Sequence, residues 1–192
     1  MTIKIFIVED DRVTREGVKA LLKQVKDFDV VGDSADGTRA AQEVLRAQPD
    51  VMITDIGLPG INGIEVARVV KENAPKIKVL MFTSHDDEGD MFDAFGAGAD
   101  GYIVKQAFAL GRLQLAVSSL MEGHCWLDPL IAKRVLKFAV RGRMPTPTVV
   151  ANAAHPLTLE EQEVLTEAEC SDGVCSVDAD FLRRLHRFAP NR

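Results

Sequence analysis

Apolar residues fall along this chain in short solid runs, each followed by a stretch where they recur every three or four positions. Ile3–Val8, IKIFIV, reads as a strand, and Val18, Leu21, Leu22 and Val25 then mark one face of a helix. Phe28–Val31 is a second, weaker strand. Ala40, Ala41, Val44 and Leu45 mark a second helix, closed by Gln48-Pro49. Val51–Thr54 gives a third strand, and Val66, Val69 and Val70 a third helix that ends before Pro75. Val79–Phe82 is a fourth strand, followed by a weak helix around Met91–Ala97. Tyr102–Val104 is the fifth strand, and Leu113, Ala116, Val117, Leu120 and Met121 form the stripe of a fifth helix.

Strict alternation of strand and helix predicts a parallel sheet with helices on both faces. Most of these strands are apolar throughout, as expected where both faces are covered. The pattern then changes. Leu130–Val140 reads as one more helix, Arg141–His155 as a linker rich in Pro, Thr and Ala, and Leu157–Leu165 as the opening of another helix. Phe181, Leu182, Leu185 and Phe188 give a short apolar stripe. Residues 142–192 are expected to be largely mobile, apart from short helices near 158–168 and 179–188.

With 192 residues, 46% of them apolar, the chain suits one ordinary domain plus a smaller appendage. A net charge of −6 gives no overall footprint for nucleic acid or an anionic membrane. No apolar run reaches the roughly 18 residues of a membrane span. The start, MTIKIFIVEDD, has too short an apolar stretch and too many acids for a signal peptide. Cys125, Cys170 and Cys175 are too few and scattered for a disulfide framework. Cys170 and Cys175, with His155 and His186, lack the spacing of a zinc knuckle. A cytoplasmic protein is expected.

The chemistry lies just after the strands. Glu9, Asp10 and Asp11 follow the first, Asp55 the third, Thr83 and Ser84 the fourth, and Lys105 the fifth. In an open parallel sheet, ligands bind beyond the carboxyl ends of the strands, where strand order reverses. With order 2-1-3-4-5, Glu9, Asp10 and Asp55 share one pocket, and Thr83 and Lys105 stand on its rim. Asp11 reads as the cap of the first helix. Three acids in one pocket repel, and a divalent cation relieves them; oxygen-only ligands suit Mg²⁺. Gly57 in the Gly57-Leu58-Pro59-Gly60 turn can aim its carbonyl at that metal. Lys105 and the Thr83 hydroxyl suit a phosphoryl group, so the set fits a carboxylate nucleophile that accepts one. Gly96-Ala97-Gly98-Ala99-Asp100-Gly101 matches GxGxxG formally, but it ends a helix and precedes a strand, so it reads as a turn.

The motifs FIVEDD, ITDIGLPGINGIEV, VLMFTS and GADGYIVK, in this order, resemble the response-regulator receiver domain of two-component signalling over about residues 2–122. The resemblance implies a flavodoxin-like (βα)5 fold. It implies phosphorylation of Asp55 by a sensor histidine kinase, with Mg²⁺ on Asp10, Asp55 and the Gly57 carbonyl and Glu9 supporting. Thr83 and Tyr102 would be the switch pair, and Lys105 would contact the phosphoryl group. Gln106 stands where many receivers have proline, a departure common in the NarL/LuxR-type subfamily; GHCWLDPLIAKRVL and LTLEEQEVL resemble that subfamily too. This divides the chain into a receiver (1–122), a connecting helix (123–141), a linker (142–156) and a truncated helix-turn-helix remnant (157–192).

The remnant lacks a second helix to reach base edges. It has 36 residues, with eight acids against four arginines, a net of −4. Output is therefore expected through dimerisation or docking of another protein, without specific DNA binding and without a membrane. Two alternatives stand: a LuxR-type DNA-binding transcriptional regulator, and a Mg²⁺-dependent phosphohydrolase. Haloacid dehalogenase-like enzymes carry a second Asp two residues after the first, and here that position is Gly57.

Overall fold

The structure, a computed structural model, describes residues 2–85, 87–105, 110–128, 131–132, 169–171 and 174–178. Strands β1 (Ile3–Val8), β2 (Phe28–Ser34), β3 (Val51–Thr54), β4 (Lys78–Thr83) and β5 (Gly101–Val104) alternate with helices. The helices are α1 (Arg12–Leu22), α2 (Gly37–Ala47), α3 (Gly63–Asn73), α4 (Glu88–Gly96) and α5 (Leu110–Met121). The strands pair in parallel in the order β2-β1-β3-β4-β5, the flavodoxin-like arrangement expected.

The first four helix starts have a local cause. Asp11, Asp36, Asn62 and Asp87 accept from the N–H groups of Thr14, Thr38, Glu65 and Gly89, so α1 to α4 each begin on an Asx cap. Helix α2 stops where Gln48 turns left-handed, at φ 47°, just before Pro49. The GxGxxG match is the α4–β5 turn, with Gly98 at φ 94°.

The period-2 alternation of strand residues splits the core into two layers. Ile5, Ile7, Val51, Ile53, Leu80, Phe82 and Ile103 pack with Val18 and Leu22 of α1 and with Leu113, Ala116, Val117 and Leu120 of α5. Phe6, Val8, Met52, Val79, Met81, Tyr102 and Val104 pack with buried residues of α2, α3 and α4.

The C-terminal side departs from the sequence reading. His124–Leu127 is a strand, β6, and not the start of a connecting helix; it runs parallel to β5 through Gly101↔Trp126 and Tyr102↔Leu127. Gly123, at φ 93°, turns the chain out of α5, and alternation then sends Trp126 to one core layer and Cys125 and Leu127 to the other. Two further strands, β7 (Glu169–Ser171) and β8 (Val174–Asp178), extend the sheet, with β8 antiparallel to β6. Paired strands replace the mobile chain expected at these positions. The linker at 142–156 and the helices expected near 158–168 and 179–188 lie outside the described residues, as does most of Leu130–Val140.

Candidate functional site

The parallel ladder delivers the polar residues to one end of the sheet. Asp55 N–H bonds the Val8 carbonyl at 2.9 Å and Glu9 N–H the Ser34 carbonyl at 3.0 Å, so both acids continue the ladder past the strand ends. Glu9, Asp55 and Thr83 are buried, and Asp10 is exposed. One carboxylate oxygen from each of Glu9, Asp10 and Asp55 lies within 4.8 Å of the others. Lys105 reaches in from β5, its Nζ 2.7 Å from Glu9 Oε2 and 2.7 Å from Asp55 Oδ2.

That ammonium group alters the electrostatics expected from three acids alone. Burial disfavours the charge on Asp55, but hydrogen bonds from Lys105 and Thr83, the lysine charge and the Ile56 N–H outweigh it and lower its pKa. For Glu9 burial wins over the same lysine, with Asp55 adding to the rise, and its pKa is raised. Burial also opposes the charge on Lys105, yet its bonds to Asp55 and Glu9 prevail and raise its pKa. At neutral pH Asp55 is thus an ionised carboxylate beside a fixed cation.

The Asp55 side chain is held at both oxygens: Oδ1 accepts from Ile56 N–H at 2.7 Å and Oδ2 from Lys105. Its backbone carbonyl accepts from the Thr54 hydroxyl at 2.9 Å. Gly63 passes so close to that carbonyl that a Cβ there would collide with it. Gly57 lies beside the same carboxylate: a Cβ built on it would be in ordinary contact with His85 Nε2 at 3.5 Å and Asp55 Oδ2 at 3.9 Å. The three carboxylates offer an all-oxygen donor set, which fits a hard divalent cation.

Tyr102 is fully buried, its ring centroid 6.3 Å from that of Phe95, and its hydroxyl donates to the His85 carbonyl at 2.9 Å. Thr83 Oγ1 accepts from His85 N–H at 3.2 Å. The two residues read as a switch pair thus grip one loop residue. Asp11, as expected, caps α1 and takes no place among the three acids.

Three contributors escaped the sequence reading. Arg15 donates to the carbonyls of Glu9 at 2.6 Å and Asp10 at 3.1 Å, while Asp33 of β2 anchors its Nε at 3.1 Å. It lies one helical turn after the Asp11 cap, a signal that could have placed it at the strand ends. His85 and Asp90 pair through Nδ1 and Oδ2 at 2.7 Å. His85 stands two residues after Thr83, but nothing in the sequence joins it to Asp90.

The open parallel α/β sheet thus gathers three acids that could hold a metal ion, with a lysine beside them, at the carboxyl ends of β1, β3 and β5. The family model "Response regulator receiver domain" matches residues 5–118, and the chain belongs to that family, whose members are signalling switches and not turnover enzymes. It is 35% identical over 135 residues to the transcriptional regulatory protein DegU of Brevibacillus brevis, covering 70% of this chain and 57% of that one. It is 37% identical over 126 residues to the DNA-binding transcriptional activator DevR/DosR of Mycobacterium tuberculosis, covering 66% and 58%. The structure of a LuxR-family response regulator from Aurantimonas sp. SI85-9A1 superposes with a TM-score of 0.69 at 30% identity, over 73% of this chain and 99% of that one. The chain thus spans little more than half the length of these curated relatives. Among the described residues no helix is long and apolar enough to cross a membrane.

Proposed function

We propose that this chain accepts a phosphoryl group on Asp55 from a sensor histidine kinase in the cytoplasm and uses it to control transcription. The observation that carries this reading is Asp55 itself: buried, held ionised, and fixed at both oxygens beside Lys105. An Asp55 carboxylate oxygen attacks phosphorus, the bond to the donor breaks, and the leaving group departs with its electron pair. Lys105 and the Thr83 hydroxyl meet the phosphoryl oxygens. Asp10, Asp55 and the Gly57 carbonyl would hold Mg²⁺, with Glu9 supporting. When bound there, Mg²⁺ neutralises charge on the transferring group.

Thr83 and Tyr102 are the reporting pair in this reading. The phosphoryl group brings about −1.5 to −2 charges. It draws the Thr83 hydroxyl, and the His85 backbone that Thr83 and Tyr102 share carries the change to the start of α4.

The relatives' names support control of transcription: one is a transcriptional regulatory protein and another a DNA-binding transcriptional activator. A second reading sends output through a homodimer or another docked protein. One observation favours it, the net −4 of residues 157–192, the wrong sign for phosphate contact. Selection of genomic DNA fragments at physiological salt tests the choice. Phosphorylated wild type should retain specific fragments, and Asp55→Asn treated in the same way should not. Retention of none by the phosphorylated protein would reject DNA binding in favour of the second reading.

A further inference from the structure

We propose that Arg15 is a positioning residue for the metal acids: it clamps the backbone on both sides of Asp10 and so favours Mg²⁺ over Ca²⁺ in the pocket. The proposal rests on the reading of Glu9, Asp10 and Asp55 as a Mg²⁺ site.

The three acids are not held alike. Lys105 binds the carboxylates of Glu9 and Asp55, at 2.7 Å each. Asp10 is exposed and is held through its backbone. Arg15 Nη1 donates to the Glu9 carbonyl at 2.6 Å and to the Asp10 carbonyl at 3.1 Å. The first carbonyl belongs to the peptide plane before the Asp10 Cα, and the second to the plane after it. Each plane is stiff, so the two bonds together fix the two soft backbone angles of Asp10. Those angles set the direction in which its carboxylate leaves the chain.

The clamp is itself anchored. Arg15 lies one helical turn after the Asp11 cap, and its N–H bonds the Asp11 carbonyl at 2.9 Å. Its Nε donates to Asp33 Oδ2 at 3.1 Å. Asp33 precedes Ser34, the β2 residue whose carbonyl accepts from Glu9 N–H at 3.0 Å. The guanidinium is planar, so an anchor at Nε also sets where Nη1 points. The loop between β1 and α1 is thus tied to the end of β2.

The plain reading is a solvated ion-pair network on α1 that joins Arg15, Glu16 and Lys19 to Asp33, and such pairs contribute little to stability. That describes Lys19, whose Nζ meets Asp33 and Glu16. It does not account for Arg15, which is only 14% exposed and turns Nη1 inward to two carbonyls of the acidic loop.

Charge and geometry predict opposite signs here. Arg15 is a cation near a cation site, so by charge alone its removal tightens the binding of every divalent ion. As a positioning group, its removal weakens binding, and by unequal amounts. Mg²⁺ demands near-ideal octahedral geometry, whereas Ca²⁺ accepts flexible coordination. A loosened Asp10 therefore costs Mg²⁺ more.

The test is calorimetric titration of the full chain with Mg²⁺ and, separately, with Ca²⁺. Arg15→Ala should bind Mg²⁺ about 10-fold more weakly, the lower end for groups that orient metal ligands, and should lose less affinity for Ca²⁺. Arg15→Lys keeps the charge without the planar fork, and its Mg²⁺ affinity should fall between wild type and Arg15→Ala. Lys19→Ala removes a charge from the same network and should not weaken Mg²⁺ binding. Equal or tighter Mg²⁺ binding by folded Arg15→Ala would overturn the proposal. So would equal losses for the two cations, or an equal loss in Lys19→Ala. A wild type that binds Mg²⁺ no better than Asp10→Asn would instead overturn the metal reading, and this proposal with it.

Discussion

Glu9 and Asp55 share Lys105 yet answer burial in opposite directions, and that opposition has a sign that titration can read. Asp55's folded pKa lies below its ordinary 3.8, so its contribution to stability is present above 3.8 and lost as pH falls through the lowered value. Glu9's folded pKa lies above its ordinary 4.5, so its contribution is present below 4.5 and lost as pH rises through the raised value. In metal-free buffer, the melting temperature of Glu9→Gln relative to wild type should therefore rise between pH 4 and pH 7. A difference that is flat or falling over that range would contradict the assignment. Gly63 offers a second residue-scale test. Any side chain there meets the Asp55 carbonyl, so Gly63→Ala should lower the melting temperature and reduce phosphorylation of Asp55 together. Normal phosphorylation in a folded Gly63→Ala protein would show that the close approach does not position the acid. At this scale Glu9, Asp10, Asp55, Thr83 and Lys105 were legible because each lies at or within two residues of the end of an apolar run. Arg15, His85 and Asp90 were not, because they act through contacts that no spacing along one element defines.

The elements β1 to β5 and α1 to α5 were legible for a related reason. Solid apolar runs and helical stripes are long-range burial written into local pattern, and Asx caps and Gln48-Pro49 mark the breaks. Strand β6 was not legible. HCWL is four residues long, and the helical pattern after Leu130 absorbs it. Only the exposed edge of β5 makes a strand of it, through pairing that the local sequence does not show. Its burial can be tested directly. Leu127 is buried in the layer with Tyr102, so Leu127→Ala should cost about 2–5 kcal/mol in denaturant unfolding. Leu115 of α5 is 57% exposed, and Leu115→Ala should stay within about 0.5 kcal/mol of wild type. Equal, small effects of both would place His124–Leu127 outside the core.

For the whole molecule, the sequence showed a receiver with something different after it. It read β7 and β8 as mobile chain because their short polar segments, ECS and VCSVD, carry no strand signal without β6 beside them. The pocket at the other end of the sheet gives a whole-molecule readout of ligand binding. Lys105 already offsets two of the three acids, so the unliganded fold is not at the limit of charge repulsion. Mg²⁺ should still stabilise it, by about 2.7 kcal/mol at 100 times its dissociation constant. Asp10→Asn should reduce that gain, and a melting curve indifferent to Mg²⁺ would contradict metal binding in the pocket.

The central claim is that Asp55 takes the phosphoryl group, and the most direct measurement is its location on the chain. The protein is treated with acetyl phosphate and Mg²⁺, the acyl phosphate is trapped by borohydride reduction, and the peptides are mapped by mass spectrometry. The account predicts one modified residue, Asp55, with no modification in Asp55→Asn. A phosphoryl group on Asp10, or on any residue outside the pocket, would contradict it.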